Sequence, residues 1–210
     1  MSSKNAKNKK SIKSMIFDLH LHLEGRSPCS ILSQNQLIDK ISPKLDGICI
    51  TDHNIIKPIK KFYMFNIKVF FGVEIWSELG DILAYGINIL PSKNSNAKQI
   101  IDFVHKHNGV AIAAHPFSNR HVAFGDKVYE YDFDAIEING AISNNANKLA
   151  EQAAKNMEIP LIGGSDAHSV NQLNSIGTKF KIKIRRIEDI VKAIKLGKCE
   201  VIGINKKDTH

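Results

Sequence analysis

The chain has 210 residues, 43% hydrophobic and 24% charged, the proportions of a globular protein with one large core and little room for a second domain. No apolar run approaches the ~20 residues that span a bilayer. Cys29, Cys49 and Cys199 are widely spaced, odd in number and form no CxxC pair, so the sequence suggests neither a disulfide framework nor a thiolate zinc cluster. The net charge of +8 points toward nucleic acid, but Lys4, Lys7, Lys9, Lys10 and Lys13 supply five of those charges from one stretch without an acid.

Residues 1–14 read as a disordered basic arm, more a solubilising tail than a polyanion binder. The arm lacks the apolar stretch of a secretory signal, so a cytoplasmic location is expected. A single domain is expected over 15–204, and 205–210 form a short tail carrying Lys206 and Lys207. Within the domain, strand 14–19 precedes a helix over 33–41 with Ser33 as N-cap, and 47–50 is a buried strand. Runs 68–73 and 81–89 flank the turn-prone 77–80 and pair as a hairpin. A helix over 95–107 has Ala97, Ile100, Ile101 and Val104 at helical spacing and stops at Gly109, before strand 110–114. Strand 135–138, helix 145–157, strand 160–163, an edge-like strand over 178–184 and helix 187–196, ended by Gly197, complete the domain. Strands alternating with helices predict a mainly parallel α/β arrangement.

Six short segments carry the chemistry: FDLHLH (17–22), ITDHN (50–54), FGVEI (71–75), AAHPF (113–117), AIEING (135–140) and GGSDAH (163–168). In the first, side chains two apart on a strand share a face, so Asp18, His20 and His22 stand together opposite Phe17, Leu19 and Leu21. Two imidazoles side by side at a strand end are a natural pair of metal ligands, against the plainer reading of histidines hydrogen-bonded in a core. His20, His22, His53, Glu74, His115, Glu137, Asp166 and His168 each fall at or just past the C-terminal end of a predicted strand, the face where α/β barrels build active sites.

These ordered motifs resemble those of the polymerase and histidinol phosphatase (PHP) family of metal-dependent phosphoesterases, over most of the chain. The resemblance implies a distorted (β/α)7 barrel holding two or three divalent ions. It implies that His20, His22, Glu74 and Asp166 hold the first ion, that Glu74 bridges to a second held by His115 and Glu137, and that His53 and His168 serve a third. The mixture of imidazole and carboxylate suits Mn, Fe or Zn. The family commonly adds a His or Asp soon after the HxH pair. Here that stretch reads LEGRSPCS (23–30), in which Glu24 or Cys29 is the substitute on offer, so a weakly held third ion is expected.

Two ions sharing a carboxylate imply a bridging hydroxide nucleophile acting on a phosphoryl group, with His53, His168 or a metal-bound water protonating the leaving group. Asp18 and Asp52 are expected to orient the imidazoles, with a turn or cap role as the alternative; Asp52 is counted with the catalytic set. Arg120 and Arg26 are the expected phosphate contacts, on loops after AHPF and the HxH strand. His105 and His107 read as helix-end cations, His121 and His210 as surface residues, and Trp76 as a packing residue or a platform for a nucleobase.

The expected activity is hydrolysis of a small phosphorylated substrate, a nucleotide or sugar phosphate. A nuclease trimming short oligonucleotides, a non-catalytic metal-binding regulatory module and an amidohydrolase are the alternatives. Nucleic acid is the less favoured partner, and neither a membrane nor an obligate protein partner is expected.

Overall fold

The computed structural model describes residues 13–60, Phe62, Met64, 66–120 and 122–204. Most of the expected basic arm, the tail over 205–210, and His121 and His210 lie outside the described residues. The elements in chain order are β1 (Met15–Leu21), α1 (Gln34–Lys40), β2 (Gly47–Ile50), β3 (Lys68–Phe71), β4 (Val73–Trp76), β5 (Asp81–Tyr85), α2 (Ala97–Lys106), β6 (Val110–Ala113), β7 (Ala135–Asn139), α3 (Asn144–Met157), β8 (Leu161–Gly164), β9 (Ile176–Phe180), α4 (Ile187–Lys195) and β10 (Cys199–Gly203). Local chemistry sets the helix starts: Ser33 with Gln36, and Asn96 with Gln99, close reciprocal capping boxes on α1 and α2.

The strands form two mixed five-stranded sheets, ordered β10-β9-β1-β2-β3 and β4-β5-β6-β7-β8, and not the closed seven-stranded barrel expected. Two features account for the difference. The short connection β4–β5 allows only antiparallel pairing, and β5–β6, β9–β10 and β1–β9 also pair antiparallel, so the strict parallel β/α alternation of a barrel is lost. The run over 68–73 also splits at Gly72, with β3 in one sheet and β4 in the other. A Cβ on Gly72 would meet the Tyr85 ring at 2.6 Å and the Ala84 carbonyl at 2.9 Å, so only glycine lets the chain cross there. The expected edge strand over 178–184 is instead β9, paired on both sides, and β10 takes the edge.

The sheets are stitched together at two places. Glu74 N donates to Thr51 O (3.1 Å) and Asn54 N to Glu74 O (2.8 Å), joining the end of β2 to β4. On the other side Asp166 N donates to His20 O (2.8 Å) and His22 N to Ala167 O (3.0 Å), joining β1 to the end of β8. Between the sheets lies a core that includes Phe17, Leu19, Leu83 and Ile112, closed on its outer side by Ile190 and Ile194 of α4. Tyr85 crosses it to donate a hydrogen bond to Leu19 O at 2.7 Å. The stitches bring the HxH, TDH, GxE and SDAH segments to one place.

Candidate metal centre

His20, His22, Glu74, His115, Glu137 and Asp166 are all buried, and His53 and His168 are half-buried above them. His22, His53, His115, Asp166 and His168 lie beyond strand ends as expected, whereas His20, Glu74 and Glu137 lie within β1, β4 and β7, with His20 one residue before the end of β1. Two of the loop positions carry strained backbone, with φ of +30° at His115 and +53° at Asp166, a conformation that non-glycine residues adopt where the surroundings enforce it. Gly164 lets β8 press against the site: a Cβ there would stand 2.4 Å from His20 Cβ.

Hydrogen bonds fix how the imidazoles face. His20 Nδ1 lies 2.7 Å from Glu137 Oε1, so Nδ1 is protonated and Nε2 keeps its lone pair. His22 Nδ1 lies 2.9 Å from Ser27 Oγ, and that hydroxyl donates to Asp52 Oδ1 at 3.0 Å, so His22 Nδ1 is the donor and its Nε2 also keeps a lone pair. The two Nε2 atoms are 2.9 Å apart. Glu74 Oε2 lies 3.3 Å from His20 Nε2, 3.1 Å from His22 Nε2 and 3.0 Å from His53 Nδ1, yet no hydrogen bond satisfies it among the described residues. Lone pairs and a carboxylate oxygen converging in a buried space fit a divalent cation.

Three overlapping groups have ligand atoms within 4.8 Å of one another: His20, His22 and Glu74; Glu74, Asp81 and His115; and His22, His53 and His168. Glu74 joins the first two and His22 the first and third. Asp166 Oδ1 borders the first and third, 3.4 Å from both His20 Nε2 and His168 Nδ1. Glu137, expected as a ligand of the second ion, has Oε1 on His20 and Oε2 accepting from His115 N (2.9 Å) and Asn139 Nδ2 (3.0 Å). Asp81 occupies the corresponding place beside Glu74 and His115. The hairpin register explains this, because Trp76 pairs with Asp81 and Glu74 with Leu83, placing the two carboxylates diagonally on one face.

The charges balance through the histidines. Burial opposes a charge on His20, but Glu137, Glu74 and Asp166 hold its pKa well above the usual range. Burial likewise opposes charge on His115, yet its hydrogen bond to Glu74 raises it to about 9. Burial pushes Asp81 up to about 7, helped by the Glu74 charge. His53 falls to about 4, chiefly through burial, and His168 is lowered by burial and then by His22. Neutral at pH 7, these two rings are suited to donating lone pairs.

The remaining expected residues fall as follows. Asp18 does not reach a ring nitrogen; Oδ1 accepts from Ser165 N (2.9 Å) and His20 N (3.2 Å), and burial raises its pKa to about 6. Asp52 is fully buried and occupied by Leu23 N (2.8 Å), Ser27 Oγ and Arg26 Nε, so it acts on His22 through Ser27 and faces no reacting group. Arg26, expected on the phosphate, is bound to Asp52 and to Lys57 O (2.8 Å). Arg120 does line the cavity above the metal groups, with Nη1 donating to Ala141 O at 2.8 Å. That cavity holds about 710 Å³ and is walled by Glu74, Asp81, His115, Asp166, His53 and His168, with Cys29 and Trp76 also on it. Glu24 is exposed and not among its lining residues. His105 pairs with Asp134 (2.9 Å) and His107 bonds Phe103 O (2.8 Å), away from the site.

Sequence reading missed Asp81 and Ser27. A signal existed for Asp81, an acid opening the strand that pairs with the GxE strand; none marked Ser27.

Comparison with known proteins finds relatives that share the fold. A family model described as PHP-associated matches residues 144–199, the stretch that carries Asp166 and His168. An uncharacterized protein of Methanocaldococcus jannaschii is 28% identical over 156 residues, 64% of this chain and 91% of that protein. Among solved structures, PsfC from Pseudomonas syringae has a TM-score of 0.73 at 14% identity, covering 92% of this chain and 93% of that one. A two-domain protein from Bacteroides vulgatus, containing a predicted PHP-like metal-dependent phosphoesterase, has a TM-score of 0.67 at 16% identity, covering 93% and 66%. The lesion-specific endonuclease PfuEndoQ of Pyrococcus furiosus has a TM-score of 0.63 at 21% identity, covering 90% of this chain and 58% of the endonuclease.

The class is therefore a mixed α/β protein with the fold of PHP-like phosphoesterases and clustered metal-capable side chains. The resemblance to the PHP family read from the motifs is shown by the PHP-associated segment together with these structural neighbours. Among the described residues no helix is long and apolar enough to cross a membrane.

Proposed function

We propose that the protein is a metal-dependent phosphoesterase that hydrolyses a small phosphorylated substrate in the cavity beside Arg120. One observation carries the reading: the buried Nε2 atoms of His20 and His22, both with lone pairs outward, converge on an unsatisfied Glu74 oxygen beneath an open cavity. The residues fit two or three divalent ions of the Mn, Fe or Zn type, with His20, His22 and Glu74 for one and Glu74, Asp81 and His115 for another; His53 and His168 would serve a third, for which the single His22 lone pair is already committed to the first. Such ions supply an activated water and neutralise charge that develops on a phosphoryl group.

The chain's own residues do the rest. Glu137 and Ser27 hold His20 and His22 in the tautomers that present Nε2. Arg120 stands on the cavity wall, where its remaining guanidinium donors meet phosphate oxygens and orient them toward Glu74 and Asp166. The absence of a membrane-length helix among the described residues is compatible with a cytoplasmic enzyme.

The test is elemental analysis of protein purified without chelator, combined with phosphate release from nucleotides and sugar phosphates by wild type and His20→Ala. Two or more equivalents of metal, with release abolished in the variant, are expected. Metal without release from any ester would favour the non-catalytic binding module, and no metal would overturn the reading altogether.

A further inference from the structure

The metal cavity, whose wall is otherwise largely charged and polar, also carries three exposed large apolar side chains. Ile31 is 71% exposed, Val122 67% and Trp76 53%, and all three line it. They come from three separate segments, so their convergence is not one loose loop. Trp76 is the only tryptophan in the chain. Its ring leans on His53 with centroids 4.9 Å apart and planes at 45°. It also borders a second cavity of about 380 Å³, lined by Ile75, Leu90 and Pro91. A large aromatic side chain backed by an imidazole and left about half exposed loses the hydration of its free face when a flat group covers it. Arg120 and Val122 lie on the same loop, so one segment offers a cation for an anionic end and an apolar contact for what is attached to it.

We infer that the mouth formed by Trp76, Ile31 and Val122 is a stacking subsite for a flat aromatic group, a nucleobase, whose phosphate lies below it beside Arg120. The inference rests on the phosphoesterase reading for the position of the phosphate. It narrows the substrate from phosphate esters in general to nucleotides, and it sets a sugar phosphate aside. A base of any identity presents a π-face, so the subsite is tolerant of which base it takes.

The sole tryptophan makes the subsite directly observable. Metal-loaded protein is titrated with adenosine 5′-monophosphate and with ribose 5-phosphate, which shares the sugar and phosphate and lacks the base. Saturable quenching of tryptophan fluorescence is expected with the first and not with the second. Trp76→Ala should raise KM for adenosine 5′-monophosphate about tenfold, and Trp76→Phe should restore most of that loss. The loss on ribose 5-phosphate in Trp76→Ala should be several-fold smaller than the loss on adenosine 5′-monophosphate, because stacking contributes only to the latter. Equal losses on the two substrates in Trp76→Ala, or no quenching at concentrations that saturate hydrolysis, would overturn the subsite. Quenching without phosphate release from either compound would keep the subsite and sink the phosphoesterase reading. Neither quenching nor release would overturn both.

Discussion

Ser27→Ala isolates the support of the metal centre from its ligands. Ser27 is 1% exposed, and its hydroxyl touches His22 Nδ1 at 2.9 Å, Asp52 Oδ1 at 3.0 Å and His53 N at 3.2 Å. Because the hydroxyl proton goes to Asp52, both His22 Nδ1 and His53 N donate to Ser27, and alanine leaves two buried donors unanswered. At ~1–3 kcal/mol for each orphaned group, less some relaxation, the metal-free protein should lose about 2–4 kcal/mol. Freed from Ser27, the His22 ring no longer has its tautomer and rotation fixed, so metal affinity should fall about 10- to 100-fold. Urea unfolding of the metal-free protein gives the first quantity, and competition with a chromophoric chelator gives the second. Asp52→Asn, which keeps the shape and removes the charge holding the Ser27 proton, should weaken metal binding in the same direction. A Ser27→Ala protein with metal affinity within about twofold of wild type and unchanged unfolding would refute the relay.

The pH dependence of the metal-free protein has a definite sign. His115 is raised from 6.5 to about 9, with burial opposed by its bond to Glu74, so its protonated ring adds stability that is complete below pH 6.5 and lost as pH rises to 9. At 1.36 kcal/mol per unit this amounts to about 3 kcal/mol, and a melting temperature that stays flat from pH 6.5 to 9 without metal would contradict it. Metal loading should release protons from His20, His22 and His115, seen calorimetrically as a binding enthalpy that changes with the ionisation enthalpy of the buffer. Asp81→Asn should remove one equivalent of metal while leaving the His20 and His22 pair competent, whereas Glu137→Gln should weaken that pair; elemental analysis after dialysis separates the two. Arg120→Ala should raise KM with the fold intact, and Arg26→Ala should lower stability by about 1–3 kcal/mol through the buried Asp52 charge left behind.

What could be read from the sequence follows physical range. Strand alternation placed His20 and His22 on one face, and local capping chemistry placed the N-terminus of α1 at Ser33, because both depend on neighbours along the chain. The chemistry of Arg26 was not legible, since a guanidinium on a loop after a metal strand fits phosphate and Asp52 equally well until the fold sets its partner. Gly72 shows the same limit in the backbone. An unbroken apolar run gives no sign that the chain changes sheets at one glycine, and that crossing is what replaces the expected closed barrel with two stitched sheets. Glu137 and Asp81 differ for a subtler reason: both are acids on strands facing the site, and only the third dimension shows that Glu137 is held by His20, Asn139 and the His115 backbone.

The arrangement of the supporting residues separates a metal centre from a histidine-rich core. In a core, imidazoles turn their nitrogens toward complementary partners, and buried polar groups end satisfied. Here Glu137, Ser27 and the Asp166 carbonyl each take the Nδ1 proton of a different histidine, so that His20, His22 and His168 all carry their lone pairs on Nε2. For His20 and His22 those lone pairs face each other at 2.9 Å beside a carboxylate, an arrangement that repels unless a proton or a metal ion lies among them. In the metal-free protein burial opposes a charge on His20, but Glu137, Glu74 and Asp166 hold its pKa well above the usual range, which favours a single proton between the two rings. A divalent ion would place more charge in the same space and satisfy both lone pairs and the Glu74 oxygen at once. The cavity above then decides between storage and turnover: a storage site gains from closed coordination, whereas these groups open onto about 710 Å³ with an arginine on its wall.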